Sequence, residues 1–341
     1  MGGSLVIQTS FLGDVILTTP LIAELAQRGP VDVLVTPVGA AALANNTDIR
    51  TVIQYDKRGT YGAAVGMWQT IKEIRGRRPY LAAYLAQGSL RSGIIAMMTG
   101  AKERIGFASS TGRALYTTQV AYRPERHHAE RLWSLAMSAC ADPPTRDQIR
   151  PRLYPSDEDR RAVEALLHQS GSIDEPFVAL APGSAWGTKR WPYYPELAKR
   201  LAGDYRIAII GSNADSAIAA EITEALKTGR VINAIGLPLL ASAEIIGRAQ
   251  AIVTNDSAPQ HLASAMGTPT LTIFGPTVPE FGFGPLAERN AVAGHESLTC
   301  RPCDRHGPRQ CPLGHWRCMR ELTADHSANL LTEVLNPPVP V

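Results

Sequence analysis

Three places in this chain put a carboxylate, an ammonium group or a helix start at the point where a strand gives way to a loop. Asp14 is the first. It follows the apolar, β-rich run Leu5-Val6-Ile7 and a loop of Thr9, Ser10, Phe11, Leu12 and Gly13. From Val15 onward Ile16, Leu17, Leu21, Ile22 and Leu25 recur at helical spacing, so Asp14 stands at a helix start. An aspartate there can simply cap the helix by satisfying orphan backbone N–H groups. It also lies at the carboxyl end of a strand, where open α/β sheets bind ligands. The second place is Ala181-Pro182-Gly183-Ser184-Ala185-Trp186-Gly187-Thr188-Lys189-Arg190-Trp191-Pro192. Small residues let the backbone approach an anion, and Lys189 offers a point charge to phosphate. The bland alternative is a loop with an exposed Lys-Arg pair. The third is Thr254-Asn255-Asp256-Ser257-Ala258-Pro259-Gln260-His261-Leu262-Ala263. Asp256 ends a strand, and Ser257, Ala258 and Pro259 open a helix whose N-terminal amides and dipole suit a diphosphate. His261, one turn in, is either part of that site or a core histidine.

None of these loops has the G-x-G-x-x-G spacing of a classical dinucleotide site or the G-x-x-x-x-G-K-[ST] spacing of a Walker A loop. A fourth constellation is Cys300-Arg301-Pro302-Cys303, then Cys311, His315 and Cys318. C-x-x-C with two further cysteines and a histidine is a vocabulary for zinc, but the pairs lie too close together for a standard ribbon. Three readings stand open: a reduced structural cluster with or without a bound metal such as zinc, a metal-free set of thiols, or disulfides, which a reducing compartment disfavours. Cys140, alone in an apolar segment, reads as core.

The elements that carry these residues alternate. In the first half, strands are expected at Val31–Val35, Thr51–Tyr55, Tyr80–Leu85, Glu103–Gly106 and Ala114–Tyr116. Helices are expected at Tyr61–Ile74, Ser89–Met98 and His128–Cys140. The second half repeats the alternation with strands at Phe177–Leu180, Arg206–Ile210, Val231–Ile232, Ala251–Thr254 and Thr270–Phe274 and helices between them. Such alternation means βαβ units on a parallel sheet. The prolines of Asp142–Thr145 and Arg150–Pro155 mark a linker. The expected division is residues 1–150 and 151–341, with the last helix free to pack back on the first domain.

A length of 341 residues suits about two domains. Hydrophobic content of 45% with 19% charge fits a soluble globular protein. No apolar run approaches the ~18 residues of a membrane span, and no signal peptide is evident, so a cytoplasmic location is expected. The net charge of +3 is unevenly spread: residues 1–150 hold 17 basic and 11 acidic residues, and residues 151–341 hold 17 and 20. A basic first half suggests an anionic partner for that half, or an ordinary solvated surface.

The motifs together resemble glycosyltransferase family 9, the heptosyltransferases of lipopolysaccharide core synthesis, and particularly its second-heptosyltransferase group. Ser10 to Pro20 is similar to the family's opening S-x-x-G-D-x-x-x-x-x-P. Pro182 to Pro192 is similar to P-G-[AS]-x-x-x-x-K-x-W-P, and Asn255 to Ala263 to N-D-[ST]-[GA]-x-x-H-[LIV]-A. Gly211-Ser212-Asn213-Ala214-Asp215 and Gly275-Pro276-Thr277 occupy two further family positions after strands. The cysteine segment resembles one found in the second-heptosyltransferase group, which implies a structural or acceptor-side role. Residues 86–93 resemble an acceptor-side segment, with Gly88 where a basic residue is common.

The resemblance implies a GT-B fold, α/β, with two Rossmann-like domains facing across a cleft. It implies an inverting transfer of heptose from ADP-L-glycero-β-D-manno-heptose to the inner core of lipopolysaccharide, of lipid A-Kdo type. Asp14 would be the catalytic base. Ser184, Thr188, Lys189, Gly211, Ser212, Asp256, Ser257, Ala258, His261 and Gly275 would serve the donor, and Ser10, Gly13, Ser89 and Arg91 the acceptor. No cofactor or metal is required for the chemistry, structural zinc at the cysteines being a separate matter. The partners implied are the nucleotide sugar, the lipid-linked acceptor and peripheral contact with the inner membrane, with no nucleic acid. A family member using another activated sugar, or a nucleotide-sugar epimerase of the same superfold, are the competing expectations.

Overall fold

The computed structural model describes residues 2–56, 62–77, 79–137, 142–227 and 229–336. It divides into two units, Met1–Tyr154 and Pro155–Val341, each built on its own parallel sheet. Cys140 lies outside the described residues.

The N-terminal unit runs β1 (Gly3–Gln8), α1 (Leu12–Leu17), α2 (Thr19–Ala26), β2 (Val31–Val35), α3 (Pro37–Leu43), β3 (Thr51–Gln54), α4 (Gly62–Gly76), β4 (Tyr80–Leu85), α5 (Leu90–Thr99), β5 (Glu103–Phe107), β6 (Thr118–Val120), α6 (His128–Trp133) and α7 (Arg146–Ile149). The sheet order is β3-β2-β1-β4-β5-β6. Its central strands are buried on both faces, which is why they read as near-continuous apolar runs. The order reverses direction between β1 and β4, the topological switch point at which such sheets bind ligands.

Four local differences from the sequence expectation have physical causes. The helix after Asp14 breaks in two, because Pro20 cannot donate to Ile16; the Thr19 hydroxyl takes that carbonyl instead at 2.8 Å. Ala114–Tyr116 is not a strand: Arg113–Leu115 forms a 3₁₀ turn and β6 follows it. Tyr116 lays its ring over Gly106, where any Cβ would approach it to 2.4 Å. The helix expected over His128–Cys140 ends at Trp133 and continues as a 3₁₀ turn, Ser134–Ala136. The proline-rich stretch is packed rather than free: Ile149 and Leu153 are buried, Thr19 Oγ1 accepts the Arg152 N–H at 3.0 Å, and Asn45 Nδ2 donates to the Tyr154 carbonyl at 3.0 Å.

The C-terminal unit runs α8 (Asp157–Gln169), β7 (Phe177–Ala181), α9 (Tyr194–Leu201), β8 (Arg206–Gly211), α10 (Ser216–Leu226), β9 (Val231–Ile235), α11 (Leu239–Arg248), β10 (Ala251–Asn255), α12 (Ala258–Met266), β11 (Thr270–Phe274), β12 (Asn290–Gly294), α13 (Arg317–Arg320) and α14 (Ala324–Leu335). Its order, β12-β11-β10-β7-β8-β9, repeats that of the first sheet read from the opposite edge, with the reversal between β7 and β10. α14 lies against α9 and contributes Ala324 and Leu331 to this unit's core, beside Trp191, Tyr194 and Ile222. No helix among the described residues is long and apolar enough to cross a membrane.

Candidate functional site

Each switch point carries one of the residue groups singled out in the sequence. In the N-terminal unit the chain leaves β1 at Gln8, and Asp14 falls in the first turn of α1. Its carboxylate is engaged on both oxygens. Oδ2 accepts the Ser10 hydroxyl at 2.6 Å and the Phe11 N–H at 3.3 Å. Oδ1 faces Nε2 of His128 at 3.3 Å, with both side chains largely buried. Capping therefore occupies Oδ2, and a second titratable group stands at Oδ1. The sequence reading missed His128, taking it only as the first residue of a helix. The available signal was the adjacent pair His127-His128 at that start: His127 Nδ1 accepts the Ala129 N–H at 3.2 Å and caps α6, leaving His128 to face Asp14.

The acceptor-side candidates separate. The Ser10 hydroxyl is committed to Asp14, and Gly13 precedes it in the same turn. The Ser89 hydroxyl caps α5, accepting the Ser92 N–H at 3.1 Å. Arg91 is exposed on α5 with no ion pair among the described residues. Gln87 was not singled out, yet its Oε1 accepts from Thr9 Oγ1 and Ser92 Oγ, both at 2.8 Å, tying the loop after β1 to the loop after β4. Gly88, noted as a departure from the family pattern, has no room for a side chain: a Cβ there would lie 2.0 Å from Ser110 Oγ.

In the C-terminal unit the loops after β7 and β10 are fastened together. Lys189 Nζ lies 2.6 Å from Asp256 Oδ2, and the Thr277 hydroxyl donates to the same oxygen at 2.7 Å. Asn255 Nδ2 donates to the Pro182 carbonyl at 2.8 Å while its Oδ1 accepts the Trp191 N–H at 3.2 Å. The exposed-pair reading of Lys189 is thereby replaced: the ammonium is nearly buried and paired. Trp191 is buried and donates its indole N–H to the Leu322 carbonyl at 2.7 Å, fixing the end of the loop.

α12 begins beside this pair. No side chain caps it, Ser257 flanks it in extended conformation, and Pro259 sits in its first turn. The positive end of the helix dipole at Ser257 and Ala258 thus lies next in sequence to Asp256. The Ser257 hydroxyl reaches the Gly183 carbonyl at 3.5 Å. Gly183 is required by its neighbour, because a Cβ there would lie 2.5 Å from Asp215 Oδ1. Asp215 in turn accepts the Ser212 N–H at 2.9 Å and hydroxyl at 2.8 Å, closing the loop after β8 next to Gly211. His261 is buried with its ring edge-on to Phe283, as a histidine in the core would be. Ser184 Oγ accepts the Trp186 N–H at 3.2 Å. Gly275 meets packing rather than open space: a Cβ would touch Met319 at 2.6 Å.

The cysteine segment braces this same cluster. Thr188 donates its hydroxyl to the Pro308 carbonyl, Trp186 stacks on His306, and Gly187 has no space for a Cβ beside the Arg309 carbonyl. Arg301 donates to the carbonyls of Phe274, Gly275, Thr277 and His295, gripping the end of β11. Cys300, Cys303, Cys311 and Cys318 are free thiols. Cys300 Sγ lies 3.8 Å from His315 Nε2, but among the described residues no group of three or more His, Cys, Asp or Glu is disposed to hold a metal ion. The residues as placed do not fit structural zinc. Their thiols differ in character. Burial, reinforced by the neighbouring Cys303, pushes Cys318 up to about 11. Burial would also raise Cys311, but backbone N–H groups of Trp316, Leu313, His315 and Gly314 outweigh it and hold that thiol below its usual range.

The profile of glycosyltransferase family 9 (heptosyltransferase) matches residues 67–316. Lipopolysaccharide heptosyltransferase 2 of Escherichia coli K12 is 27% identical over 292 residues, covering 81% of this chain and 84% of that protein. Lipopolysaccharide heptosyltransferase 1 of Pseudomonas aeruginosa PAO1 is 28% identical over 317 residues, covering 88% and 85%. Among solved structures, E. coli ADP-heptose lps heptosyltransferase II has a TM-score of 0.77 at 24% identity, with 98% of each chain covered, a likeness of fold. The doubly wound sheets are those of the GT-B class, and a family profile spanning most of the sequence gives the assignment: the chain belongs to glycosyltransferase family 9 and is a glycosyltransferase.

Proposed function

We propose that this chain transfers heptose from ADP-L-glycero-β-D-manno-heptose to the inner core of lipopolysaccharide with inversion at the anomeric carbon. The seating of Asp14 carries the reading. A carboxylate with Oδ2 taken by Ser10 and Phe11, and Oδ1 set against His128, is oriented at the carboxyl end of β1 before any substrate arrives. Such preorganisation is what a general base needs. The acceptor hydroxyl attacks the anomeric carbon, its proton passes to Asp14, and the bond from that carbon to the β-phosphate oxygen breaks. The electron pair leaves with ADP. Lys189 and the first-turn amides of α12 at Ser257 and Ala258 stabilise the charge that develops on the diphosphate. A fixed cation and a helix dipole do this work without a metal ion. His128 acts as a positioning residue for the base.

The donor follows the names of the relatives, which are heptosyltransferases, one of them described as acting with ADP-heptose. Addition of the second heptose is supported by the resemblance of the cysteine segment to one found in the second-heptosyltransferase group. An acceptor of lipid A-Kdo type places the enzyme on the cytoplasmic side, in peripheral contact with the inner membrane.

The test is release of ADP from ADP-heptose with and without an extracted or de-acylated core acceptor, the product being weighed by mass spectrometry. Acceptor-dependent ADP with a mass gain of one heptose supports the reading. A change of donor without acceptor would instead indicate an epimerase. Asp14→Asn should remove ~10²–10⁴-fold of turnover. Turnover within about threefold of wild type would leave Asp14 as a cap alone.

A further inference from the structure

α4 joins β3 to β4 and α5 joins β4 to β5, so with right-handed crossovers both lie on one face of the N-terminal sheet, where they pack together. Their inner sides supply Ile71, Ile74, Ile95 and Ala96 to the core. Their outer sides also carry apolar residues among the polar ones. Val65 and Trp68 on α4 are 47% and 55% exposed, and Leu90 and Met97 on α5 are 54% and 48% exposed. These four are nearly half of the nine large hydrophobic residues exposed among the described residues. Scattered single exposures are ordinary, but a shared face of this kind is not.

The charges on this face are one-sided. Val65, Trp68, Lys72 and Arg75 fall at i, i+3, i+7 and i+10, a single exposed stripe that runs alongside the buried Ile71 and Ile74. Lys72 and Arg75 are exposed and have no ion-pair partner among the described residues, as is true of Arg91 on α5. The one acidic residue of α4, Glu73, lies beside the stripe and is taken by Arg77 at 3.2 Å. α5 contains no acid.

We infer that this face docks on the surface of an anionic phospholipid bilayer. Val65, Trp68, Leu90 and Met97 enter the boundary between headgroups and acyl chains, where tryptophan is favoured, and Lys72, Arg75 and Arg91 meet lipid phosphates. A second copy of the chain fits poorly, because pairing the face with itself would oppose like charges. The inference deepens the proposed function, on which it rests for a membrane-borne acceptor, by naming the surface that meets the membrane.

Flotation of the full chain with vesicles of phosphatidylglycerol and phosphatidylethanolamine, against vesicles of phosphatidylcholine alone, tests it. Wild type should bind the anionic vesicles and barely bind the neutral ones. Val65→Ser with Trp68→Ser should weaken partitioning about tenfold or more, and Lys72→Glu with Arg75→Glu should abolish the preference for anionic lipid. All four positions are on the surface, so melting temperature and turnover on a water-soluble, de-acylated acceptor should stay at wild-type level. Wild type that fails to float with anionic vesicles, or variants that float as wild type does, would overturn the inference. So would a concentration-dependent dimer, without vesicle binding, that the Trp68 variant loses. Vesicle binding with no transfer to the soluble acceptor would instead sink the proposed function and leave the docking face standing.

Discussion

The two sheets share one strand order, and each reverses it between its first and fourth strands, yet the two crevices are furnished in different ways. After β1 and β4 the groups are a carboxylate, an imidazole and neutral hydroxyl and amide side chains: Asp14, His128, Ser10, Thr9 and Gln87. After β7 and β10 they are a buried Lys189–Asp256 pair, close-packed glycines and an uncapped helix start. Topology fixes where the crevice forms in both; the side chains decide whether its groups suit a proton or an anion. The first crevice holds a carboxylate and an imidazole in a set mutual orientation. The second sets a helix start without a side-chain cap next to a paired Lys189 and Asp256.

Substitutions should therefore split the two functions, and the largest effect belongs to the first crevice. Asp14→Asn should lose ~10²–10⁴-fold in kcat while calorimetry finds ADP binding unchanged. Lys189→Ala should do the reverse, weakening ADP about 10- to 100-fold. It removes a charge-assisted contact worth ~1.5–3 kcal/mol and leaves Asp256 facing the diphosphate. An unchanged ADP dissociation constant would erase the contrast between the crevices. His128→Ala should lower kcat about tenfold with little change in acceptor KM, and His128→Gln, which keeps a donor, should recover part of it. If the Ala variant moves KM and leaves kcat alone, His128 binds acceptor and does not position the base. Gly183→Ala should lower stability by about 1–3 kcal/mol through collision with Asp215, read as a shift in melting midpoint. The smallest effect concerns the brace: at pH 8 iodoacetamide should modify Cys311 well before Cys318, whose thiol titrates near 11 and is buried. Equal rates would mean that the cysteine segment opens in solution.

Residues at strand ends were legible because local pattern alone places them. An apolar run followed by a small-residue loop puts Asp14, Lys189 and Asp256 at carboxyl ends whatever the rest of the chain does. What pairs with them was not legible. His128 reaches Asp14 from a helix that follows five further strands, and no local period signals that meeting. Thr277 could be read as a letter in a motif but not as the second donor to Asp256. Arg301 sits between two cysteines that drew the eye to metal, whereas the guanidinium does the gripping, through four carbonyls. α3 and β12 went unassigned: the first is a short run of small residues opened by Pro37, and the second, Asn-Ala-Val-Ala-Gly, is a weak edge strand.

The parallel registers carry a consequence for how the chain is made. Leu5 pairs with Asp32 on one flank and with Ala83 on the other, and Val178 pairs with Ala251. A nascent chain emerging from the ribosome cannot close the crevice around Asp14 until β4 is out, nor seat His128 until α6 follows. Every partner of that crevice is synthesised before Pro155, so the N-terminal unit can reach its native form while the C-terminal unit is still being translated. The long sequence separation within each sheet makes these closures slow steps. Rare-codon pauses placed far enough downstream of Tyr154 for that residue to have left the ribosome would then favour yield of folded protein, and a chain halted before β4 has emerged would expose an unpaired β1 edge to aggregation.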